Sequence, residues 1–503
     1  MNPNSTPTAT KIALLLAILV VSLVTATLAS ESVGDNTLYL NGYVDYSTHV
    51  IVNVDFNSHI GVNKLRLGTQ PTYSETVNFP KSAIRKNLLQ NASFSLIRVF
   101  DYQIGYPAQQ PCINWNDTSK TGTFNWAYTD ALVQSIFDIG AEPLIVLGFA
   151  SSTGMSNLPP HMGKNATTGL PNPDNWAPYC SSWVNHFYSI GKPVRFYEIV
   201  NEPFAYFGWS PNLPKLAYFG RLYNSTRTRM RALNNNLIIS FDHSAQQTIL
   251  DYLIDNNIQI DSINYHKYDT NILDPDDGNY ENDAKVFVDA EREYFTDGYP
   301  YVRSVQNAAK YYTSRTGKQV LIINSESNLN GNGNGGSDPR MVQMNGTIWE
   351  AMVLRMEILN GVNYHIHFTE EASEGFESNK GLFKGYGYGL VDSDSDTPWY
   401  SYWLYYMLGK SLGDGDVLCL TSSSSKNLKT LAWNHEGANN LLLIHSSTNS
   451  DIVDLSGFAT NNLVYMKLDS EVSFLNSRIQ TGKTDSSVTM KGYTVMLLSM
   501  SPS

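Results

Sequence analysis

The chain has 503 residues, which is more than one hydrophobic core organises, and 42% of them are hydrophobic and 12% aromatic. Its formal net charge of -12 argues against nucleic acid or an anionic membrane surface as a partner. Only 16% of the residues are charged, so uncharged polar side chains supply much of the solubility.

The first 30 residues indicate export. Lys11 precedes an apolar run from Ile12 to about Leu28, and the small residues Ala29 and Ser30 follow, which is typical of a signal peptide. The run is long for a cleaved signal, so an uncleaved membrane anchor is the alternative, and we expect a secreted or cell-surface protein. Five Asn-x-Ser/Thr sequons are compatible with glycosylation outside the cell: Asn91, Asn116, Asn165, Asn224 and Asn345.

The cysteines do not form a metal-binding pattern, since no pair among Cys112, Cys180 and Cys419 has zinc-ligand spacing. Cys112 and Cys180 lie near two successive strand-to-helix segments, so they either form a disulfide in an oxidising compartment or stay as two free buried thiols. Cys419 is expected to be a small buried apolar residue. No glycine-rich phosphate-binding motif follows the first strands, and we expect no nucleotide or other cofactor.

Eight short apolar runs alternate with helical segments over residues 60–412. Helical stretches such as Trp126–Ile139 and Val302–Thr316 end at a glycine, Gly140 or Gly317, as helices commonly do. Eight βα units in series predict an α/β fold with a closed (β/α)8 TIM barrel rather than an open sheet. The predicted strands are Lys64–Gly68, Leu96–Phe100, Pro143–Leu147, Phe196–Val200, Leu237–Phe241, Ser262–Tyr265, Val320–Asn324 and Asn363–Phe368.

The pattern changes at about Gly413 to short alternating strands with polar turns. This predicts a small antiparallel β-sandwich over residues 413–503. Segment Leu38–Phe56 alternates in the same way, so residues 31–59 are expected to add strands to the sandwich. The predicted sandwich strands are Leu428–Trp433, Asn440–His445, Asp451–Leu455, Leu463–Leu468, Ser487–Lys491 and Tyr493–Ser499.

Two glutamates follow predicted buried strands. Glu202 lies between Asn201 and Pro203, just past the fourth strand, and Glu326 lies just past the seventh. A single glutamate at a strand end is usually a solvated rim residue, but two at these strands of one barrel are placed to converge. Rigid, partly dehydrated carboxyls can have different pKa values, and paired carboxylates are the groups that cleave glycosidic bonds.

With these positions in place, the chain resembles clan A of the retaining glycoside hydrolases. The resemblance covers residues 60–412 in its motif positions: an Asn-Glu-Pro triplet after the fourth strand and a glutamate after the seventh. The lead-in segment Tyr188–Arg195 and the terminal sandwich are most similar to family 39 and its relatives.

The resemblance implies a role for each matching residue. Glu202 is implied to be the general acid/base and Glu326 the nucleophile. Of the implied substrate-binding residues, Asn201 bonds the sugar 2-hydroxyl, and His266 contacts the acid/base or the sugar. The implied partners of the nucleophile are Arg98, from the second strand, and Tyr268, from the His-x-Tyr segment after the sixth.

Elementary electrostatics supports these roles. A nucleophilic carboxylate must stay ionised, and Arg98 and Tyr268 supply a cation and a hydroxyl donor for Glu326. The acid must keep its proton, so we expect desolvation by Pro203, Phe204 and neighbouring aromatic residues to raise the pKa of Glu202.

Each assignment has a structural alternative. Arg98 could form a salt bridge with Asp101, and His266 could be a core histidine. His365 and His367 alternate on the eighth strand and face one side, but no third metal ligand is evident, so sugar contact or barrel packing is favoured over a metal. We expect no metal in the site.

Several rim segments could shape the cleft. Aromatic residues directly after Glu202, among them Trp209, and also Trp399, are predicted to stack on sugar rings. Glu370 and Glu371 follow the eighth strand, where a solvated rim is the default. The insertion Asp269–Pro300 is a solvated loop or a cleft wall rather than a calcium site, although it carries Asp274, Asp276, Asp277 and Asp283.

The sequence therefore predicts a secreted retaining hydrolase of a β-linked polysaccharide, such as a glucan or xylan, cut internally. An exo-acting β-xylosidase or β-glucuronidase is the alternative. A rival of another class is a non-catalytic carbohydrate-binding protein at the cell surface. Where cellulase-like members of the clan carry a histidine after the third strand, this chain has Phe149-Ala150-Ser151, which leaves the sugar open.

Overall fold

The structure is a computed structural model that describes residues 48–71, 79–101, 110–156, 158–208, 212–270, 283–292, 302–331, 338–370, 389–392, 395–458, 463–472 and 477–500. The predicted signal or anchor at residues 1–30 lies outside these ranges, as do Trp209, Glu371 and the three aspartates Asp274, Asp276 and Asp277. Within the described ranges, no helix has the length and apolar character needed to cross a bilayer.

The first twelve strands supply the barrel and its additions. Eight of them, β2, β3, β6, β8, β9, β10, β11 and β12, pair in parallel in that order, and β12 returns to β2 to close the sheet. The predicted TIM barrel is thereby confirmed. The strands in chain order are β1 Thr48–Val62, β2 Arg66–Gln70, β3 Leu96–Phe100, β4 Cys112–Asn116, β5 Thr121–Phe124, β6 Glu142–Ser151, β7 Gly154–Ser156, β8 Phe196–Asn201, β9 Ile238–Phe241, β10 Ser262–Lys267, β11 Leu321–Ser327 and β12 Tyr364–Phe368.

Helices follow the barrel strands and begin and end at recognisable signals. The α1 N-cap, Ser82, accepts a hydrogen bond from the Arg85 amide, and the α3 N-cap, Asn172, precedes a proline. Gly140 and Gly317, predicted as helix stops, have φ of 86° and 71°, which glycine adopts readily. The helices are α1 Ala83–Asn91, α2 Ala127–Asp138, α3 Pro173–Ser189, α4 Phe204–Phe207, α5 Leu213–Leu233, α6 Gln247–Asp255, α7 Asp283–Ala290, α8 Val302–Thr316, α9 Met344–Leu359 and α10 Tyr400–Ser411.

Strand β3 shows how the barrel places a charge in its interior. Its five residues are all buried, because one face meets the helices and the other fills the barrel. Ile97 and Val99 belong to the large core beneath the helices, whereas Leu96 and Phe100 belong to the inner barrel core. Period-2 alternation therefore turns Arg98 inward, between these two inner residues.

The remaining strands form a nine-stranded sheet that takes in β1. Strand β1 pairs in antiparallel fashion with β13 and in parallel with β16, so the part of residues 31–59 that the structure describes lies in this sheet. Strands β13 and β18 were absent from the prediction, because β18 is polar and half-exposed and β13 loses its apolar character halfway. The strands are β13 Val417–Ser423, β14 Leu428–His435, β15 Ala438–His445, β16 Ser450–Ser456, β17 Leu463–Asp469, β18 Gln480–Thr484, β19 Ser487–Lys491 and β20 Thr494–Met500.

This sheet folds over itself into the predicted sandwich and also packs on the barrel. On β15, Leu441 and Leu443 face the sandwich core, whereas Leu442 and Ile444 join the barrel-side core. Both faces of the strand are thus buried, which explains its continuous apolar run. Trp403 on α10 adds a polar tie, since its indole N–H donates to the Ser477 carbonyl at 2.9 Å.

The cysteines and sequons occupy contrasting environments. Cys112, Cys180 and Cys419 all lie in the described part of the chain, and each is a buried free thiol, so the disulfide alternative for Cys112 and Cys180 is not realised. Four sequon asparagines are exposed, while Asn345 is half-buried and donates to Asp283 at 3.3 Å.

His365 and His367 point outward from β12 towards the helices, which favours barrel packing over sugar contact. His365 Nδ1 lies 2.7 Å from Glu357 and its Nε2 lies 2.8 Å from Glu350, both on α9. Burial alone would lower the pKa of His365, but the two carboxylates raise it to about 10. Burial raises the pKa of Glu350, but His367 and His365 lower it to about 2.

His365→Asn should therefore destabilise the protein in a pH-dependent way. The stabilisation from the raised pKa of His365 is complete below about 6.5 and is lost as pH rises towards about 10. The contribution of Glu350 is present above about 4.5 and is lost as pH falls towards about 2. The difference in unfolding free energy between wild type and variant, measured by denaturant titration, should be largest between these limits.

The matched control for this variant is Ile366→Val, which trims a buried residue on the opposite face of β12 and titrates nothing. Its destabilisation, about 0.5–1.5 kcal/mol, should not change with pH. A flat pH dependence for His365→Asn as well would contradict the ion-pair assignment.

Gly409 allows α10 to contact the end of α1. A Cβ there would overlap the Ala92 carbonyl oxygen, which is rigid backbone. In a free helix, Gly→Ala stabilises by about 1 kcal/mol. Here we expect Gly409→Ala to lose about 1–3 kcal/mol, since the helix must move. Thermal melts should show the loss, with the exposed neighbour Lys410→Ala as a near-neutral control; a stabilised Gly409→Ala would show that the helices do not touch.

Candidate active site

Arg98 organises the carboxyl end of the barrel. Its Nη1 donates to Gln70 Oε1 at 2.8 Å and to Glu326 Oε1 at 2.5 Å. Its Nη2 donates to Glu198 Oε1 and to Asn201 Oδ1, each at 2.6 Å. The guanidinium is fully buried, and these four bonds join strands β2, β3, β8 and β11. The alternative pairing of Arg98 with Asp101 is wrong, because Asp101 instead accepts from Tyr179 and from the Gly148 amide.

Glu326 reaches Arg98 because β11 is irregular. Tyr265 pairs with Asn324, but the next residue of β10, His266, pairs with Glu326, so Ser325 is an extra bulged residue. In a regular strand Asn324 and Glu326 would share a face. The bulge separates them: Asn324 bonds Glu357 among the helices, and Glu326 turns into the barrel.

Glu326 has the two partners that the sequence predicted. Tyr268 donates its hydroxyl to Glu326 Oε2 at 2.9 Å, while Arg98 binds Oε1. The Glu326 side chain is 9% exposed, so it combines partial desolvation with a fixed cation and a hydroxyl donor. This arrangement stabilises the ionised carboxylate.

Glu202 leaves the end of β8 through an unusual backbone. Val200 and Glu202 have φ of 66° and 48°, a region that β-branched residues in particular avoid. The Glu202 amide donates to Asp242 Oδ2 at 2.8 Å, which fixes the turn. Its side chain is 29% exposed and so faces the open end of the barrel.

His266 lies between the two glutamates. Its Nδ1 is 3.1 Å from Glu202 Oε1 and 3.4 Å from Glu326 Oε2. One carboxylate oxygen of Glu202 and one of Glu326 lie within 4.8 Å of one another and of a His266 nitrogen. The structure thus brings together Asn201, Glu202, Arg98, His266, Tyr268 and Glu326 at one barrel mouth.

The expected pKa of Glu202 is wrong in direction. Burial raises it, as predicted, but the hydrogen bond from His266 and the charge of that ring outweigh burial and hold the pKa below its usual value. Burial likewise opposes the charging of His266, yet Glu326, Asp242 and Glu202 together raise its pKa to about 10. In the free site the proton therefore resides on His266 and Glu202 is ionised.

Several buried residues of this network were missed from the sequence, among them Gln70, Glu198, Asp242 and His243. Glu198, on the inner face of β8, binds Arg98 and also accepts from Asn264 at 3.1 Å; burial and nearby Asp242 raise its pKa despite Arg98. Asp242 and His243 follow β9, which carried no predicted site residue. A carboxylate inside an otherwise apolar strand was the available signal for Glu198.

The aromatic residues after Glu202 serve mainly as packing. Tyr206 and Phe207 are 4% and 3% exposed, and Phe204 packs on His243 with ring centroids 4.6 Å apart. Trp399, a predicted stacking residue, is 1% exposed at the start of α10, so its ring lies in the interior. The other residue that the sequence predicts to stack on sugar rings, Trp209, lies outside the described residues.

Glu370 is not the solvated rim residue expected by default. It is fully buried, and its Oε1 lies 3.4 Å from Arg85 Nε, whose side chain is also fully buried. The pair ties the segment after β12 to the first turn of α1. We assign it a structural role.

The mouth also contains groups of the kind that bind metals. Glu202, His266 and Glu326 offer three ligand atoms within 4.8 Å, and so do Asp242, His243 and His266. The acidic members of these groups already have basic partners, since Arg98 binds Glu326 and His266 contacts Glu202 and Asp242. With Arg98 already neutralising Glu326, the donor set fits an ion-pair network better than a metal centre.

No protein-family model matches the sequence, and no curated protein matches it. Solved structures with a similar fold include a GH39 β-xylosidase from Caulobacter crescentus, with TM-score 0.60 and 15% identity, covering 90% of this chain and 100% of that chain. An α-L-arabinofuranosidase from Thermotoga maritima has TM-score 0.61 and 14% identity, covering 90% and 99%. The family 30 xylanase Xyn30A from Clostridium acetobutylicum has TM-score 0.56 and 14% identity, covering 91% and 100%. These likenesses establish the barrel-and-sandwich architecture.

Removing the His266 imidazole should raise the pKa of Glu202. His266→Gln keeps a polar group of similar size but removes the positive charge, so the Glu202 carboxylate loses its main stabilisation. We expect its titration, followed by carbon-13 NMR of protein labelled at the glutamate carboxyls, to move to higher pH. Glu202→Gln identifies the resonance.

His186→Gln is the matched control, because His186 also bonds a carboxylate, Asp130 at 2.6 Å, but on the outer helix α3. It should leave the titration of Glu202 in place. A Glu202 pKa that stays low in His266→Gln would show that another group holds it down.

Proposed function

We propose that the chain is a retaining β-glycosidase of clan A, most similar to family 39. The observation that carries this proposal is the pair Glu202 and Glu326, with carboxylate oxygens within 4.8 Å of each other at the open end of the barrel. Retaining enzymes place their carboxyls about 5–5.5 Å apart, and inverting enzymes about 6.5–9.5 Å apart to admit a water. A separation of at most 4.8 Å between these oxygens supports the retaining arrangement.

In the first step Glu326 attacks the anomeric carbon. Arg98 binds Oε1 of Glu326 and Tyr268 binds Oε2, which orients the carboxylate for this attack. The bond from carbon to the leaving oxygen breaks as Glu202 transfers a proton to that oxygen, and an ester of Glu326 forms. The Asn201 amide, with its Oδ1 held by Arg98, is positioned to bond the sugar 2-hydroxyl.

The proton that Glu202 transfers comes from its hydrogen-bond partner, His266. In the free site it resides on His266 Nδ1, 3.1 Å from Glu202 Oε1, and it moves to Glu202 when sugar replaces water in the mouth. In the second step a water attacks the anomeric carbon, the bond from that carbon to Glu326 breaks, and Glu202 accepts the proton of the water. Glu326 is released as a carboxylate, and the proton returns from Glu202 to His266 as the product leaves. The product retains its configuration at the anomeric carbon.

The proposed substrate is a β-linked glucan or xylan outside the cell, cut internally. The similar folds of a β-xylosidase and a xylanase support a xylan-type sugar, and the N-terminal apolar run supports secretion or surface anchoring. Exo action on the same class of substrate is the alternative. Hydrolysis of long chains, resolved by product length, separates the two, since internal cuts release mixed oligosaccharides and exo action releases one short product.

A purely carbohydrate-binding barrel would not need this site. The ion pairs of Arg98 with Glu198 and Glu326, and of His266 with Glu202, bury several charges, and burying charge costs free energy. A sugar can be bound by neutral amides, hydroxyls and aromatic rings alone. The charged pair therefore favours catalysis over binding.

Glu326→Gln should lower hydrolysis on the order of 10⁴-fold or more, since an amide cannot form the glycosyl ester. Affinity for oligosaccharide should stay close to wild type, because the amide keeps the shape of the side chain. Initial product from wild type, observed by proton NMR, should be the retained anomer.

Glu142→Gln is the control, because Glu142 is a half-buried glutamate that pairs with Arg195 at the opposite end of its strand. It should keep wild-type activity. Initial release of the inverted anomer, or full activity in Glu326→Gln, would rule out the proposed mechanism. Sugar binding without turnover by wild type would favour the binding-protein alternative.

A further inference from the structure

Asp242 lies at the end of β9, a strand that supplies neither of the paired glutamates. Its carboxylate is completely buried yet makes several polar contacts. Oδ1 accepts the His243 amide at 2.8 Å, and Oδ2 accepts the Glu202 amide at 2.8 Å. Oδ2 also lies 3.0 Å from His243 Nδ1 and 3.5 Å from His266 Nε2. One carboxylate thus contacts both members of the proton-carrying pair, Glu202 and His266.

The contact to Glu202 acts on the main chain. Glu202 has a φ of 48°, and Val200, two residues earlier, has a φ of 66°. These strained conformations persist only if surrounding contacts hold the end of β8 in place. The hydrogen bond from the Glu202 amide to Asp242 is charge-assisted and buried, which makes it strong enough to hold such a turn. The hydrogen bond therefore fixes the position of the Glu202 backbone and the direction in which its side chain leaves it.

The contact to His266 acts on the ring. Asp242 faces Nε2, and the opposite nitrogen, Nδ1, faces the two glutamates. His243 packs edge-on against the same ring, with centroids 4.6 Å apart and planes at 68°, which restricts its rotation. A carboxylate behind an imidazole orients the ring and stabilises its charged form.

We propose that Asp242 is a positioning residue for the proton-transfer step. It fixes the position of the His266 ring relative to the main chain of Glu202. The inference rests on the proposed glycosidase function. Asp242 touches neither glutamate side chain in the geometry described, so it acts through Glu202 and His266 rather than on the sugar. Burial raises its pKa, but His243 and His266 lower it far more, so Asp242 remains ionised.

Loss of Asp242 should slow protonation of the leaving group but not nucleophilic attack. Glu326 keeps its bonds to Arg98 and Tyr268, so nucleophilic attack is spared. Protonation of the leaving oxygen depends on the geometry between Glu202 and His266, so it is slowed. Substrates whose leaving group departs without a proton should therefore hardly respond, whereas substrates that need the proton should respond strongly.

The test uses Asp242→Asn, which keeps the shape and one acceptor but removes the charge. The substrates are phenyl and 2,4-dinitrophenyl β-glycosides of xylose and of xylobiose, or of glucose and cellobiose if wild type prefers them, so that an internally cutting enzyme is also served. We expect kcat/KM to fall about 100-fold for the phenyl glycoside and by less than about threefold for the dinitrophenyl glycoside. Glu202→Ala is the reference, and in its background Asp242→Asn should cause no further loss on the phenyl glycoside.

Asp101→Asn is the matched control. Asp101 is also fully buried just past a barrel strand, and it accepts from Tyr179 at 2.9 Å and from the Gly148 amide at 3.2 Å. It should lower thermal stability to a comparable degree while leaving the ratio between the two substrates unchanged. If Asp242→Asn does not fold, Asp242→Ser carries the same test, because its hydroxyl still accepts from an amide.

The outcomes are distinct. Wild type inactive on every aryl glycoside would overturn both the proposed function and this inference. An active wild type, together with an Asp242 variant that slows both substrates equally or adds its loss to that of Glu202→Ala, would overturn the inference alone. A selective, non-additive loss on the phenyl glycoside supports it.

Discussion

The buried guanidinium of Arg98 is the interaction on which the barrel mouth depends. A cation in an apolar interior costs several kcal/mol unless opposite charges and hydrogen-bond acceptors surround it. Arg98 has both, since its two terminal nitrogens bond Gln70, Glu198, Asn201 and Glu326. The dependence is mutual, because the buried carboxylates of Glu198 and Glu326 are tolerated only with this cation between them. Closure of the barrel brings the polar side chains of these strands close together, and Arg98 stabilises them there through its hydrogen bonds.

The two glutamates differ because their cations differ. Glu326 faces Arg98, which cannot lose its proton in a protein, so Arg98 is not a proton donor to this carboxylate. Glu202 faces His266, whose ring nitrogen can give up a proton and take it back. The same carboxyl chemistry is thereby divided into a carboxylate beside a fixed cation and a group that exchanges protons. The division follows from the partners of the two groups. The sequence predicted the partners of Glu326, but for Glu202 it predicted an effect of desolvation.

The sequence predicted what depends on local pattern. Apolar runs and glycine stops gave the barrel strands to within a few residues, and strand ends placed Glu202 and Glu326 on one mouth, since parallel strands share an end. It could not give contacts between distant residues. Asp242 looked like any polar residue after a strand, and the direction of the Glu202 pKa depended on a 3.1 Å contact with His266, 64 positions away.

Both glutamates reach the mouth through departures from regular strand geometry. The bulge at Ser325 turns Glu326 inward, and positive φ at Val200 and Glu202 redirects the chain after β8. Positive φ of this kind costs roughly 1–3 kcal/mol per residue, and the surrounding regular barrel is what sustains it. Such irregularities fall at strand ends because ladder hydrogen bonds are finishing there, so the fewest are lost. The candidate catalytic residues lie at these same strand ends. Period-2 alternation therefore located the strands, but it did not predict which way the side chains at their ends point.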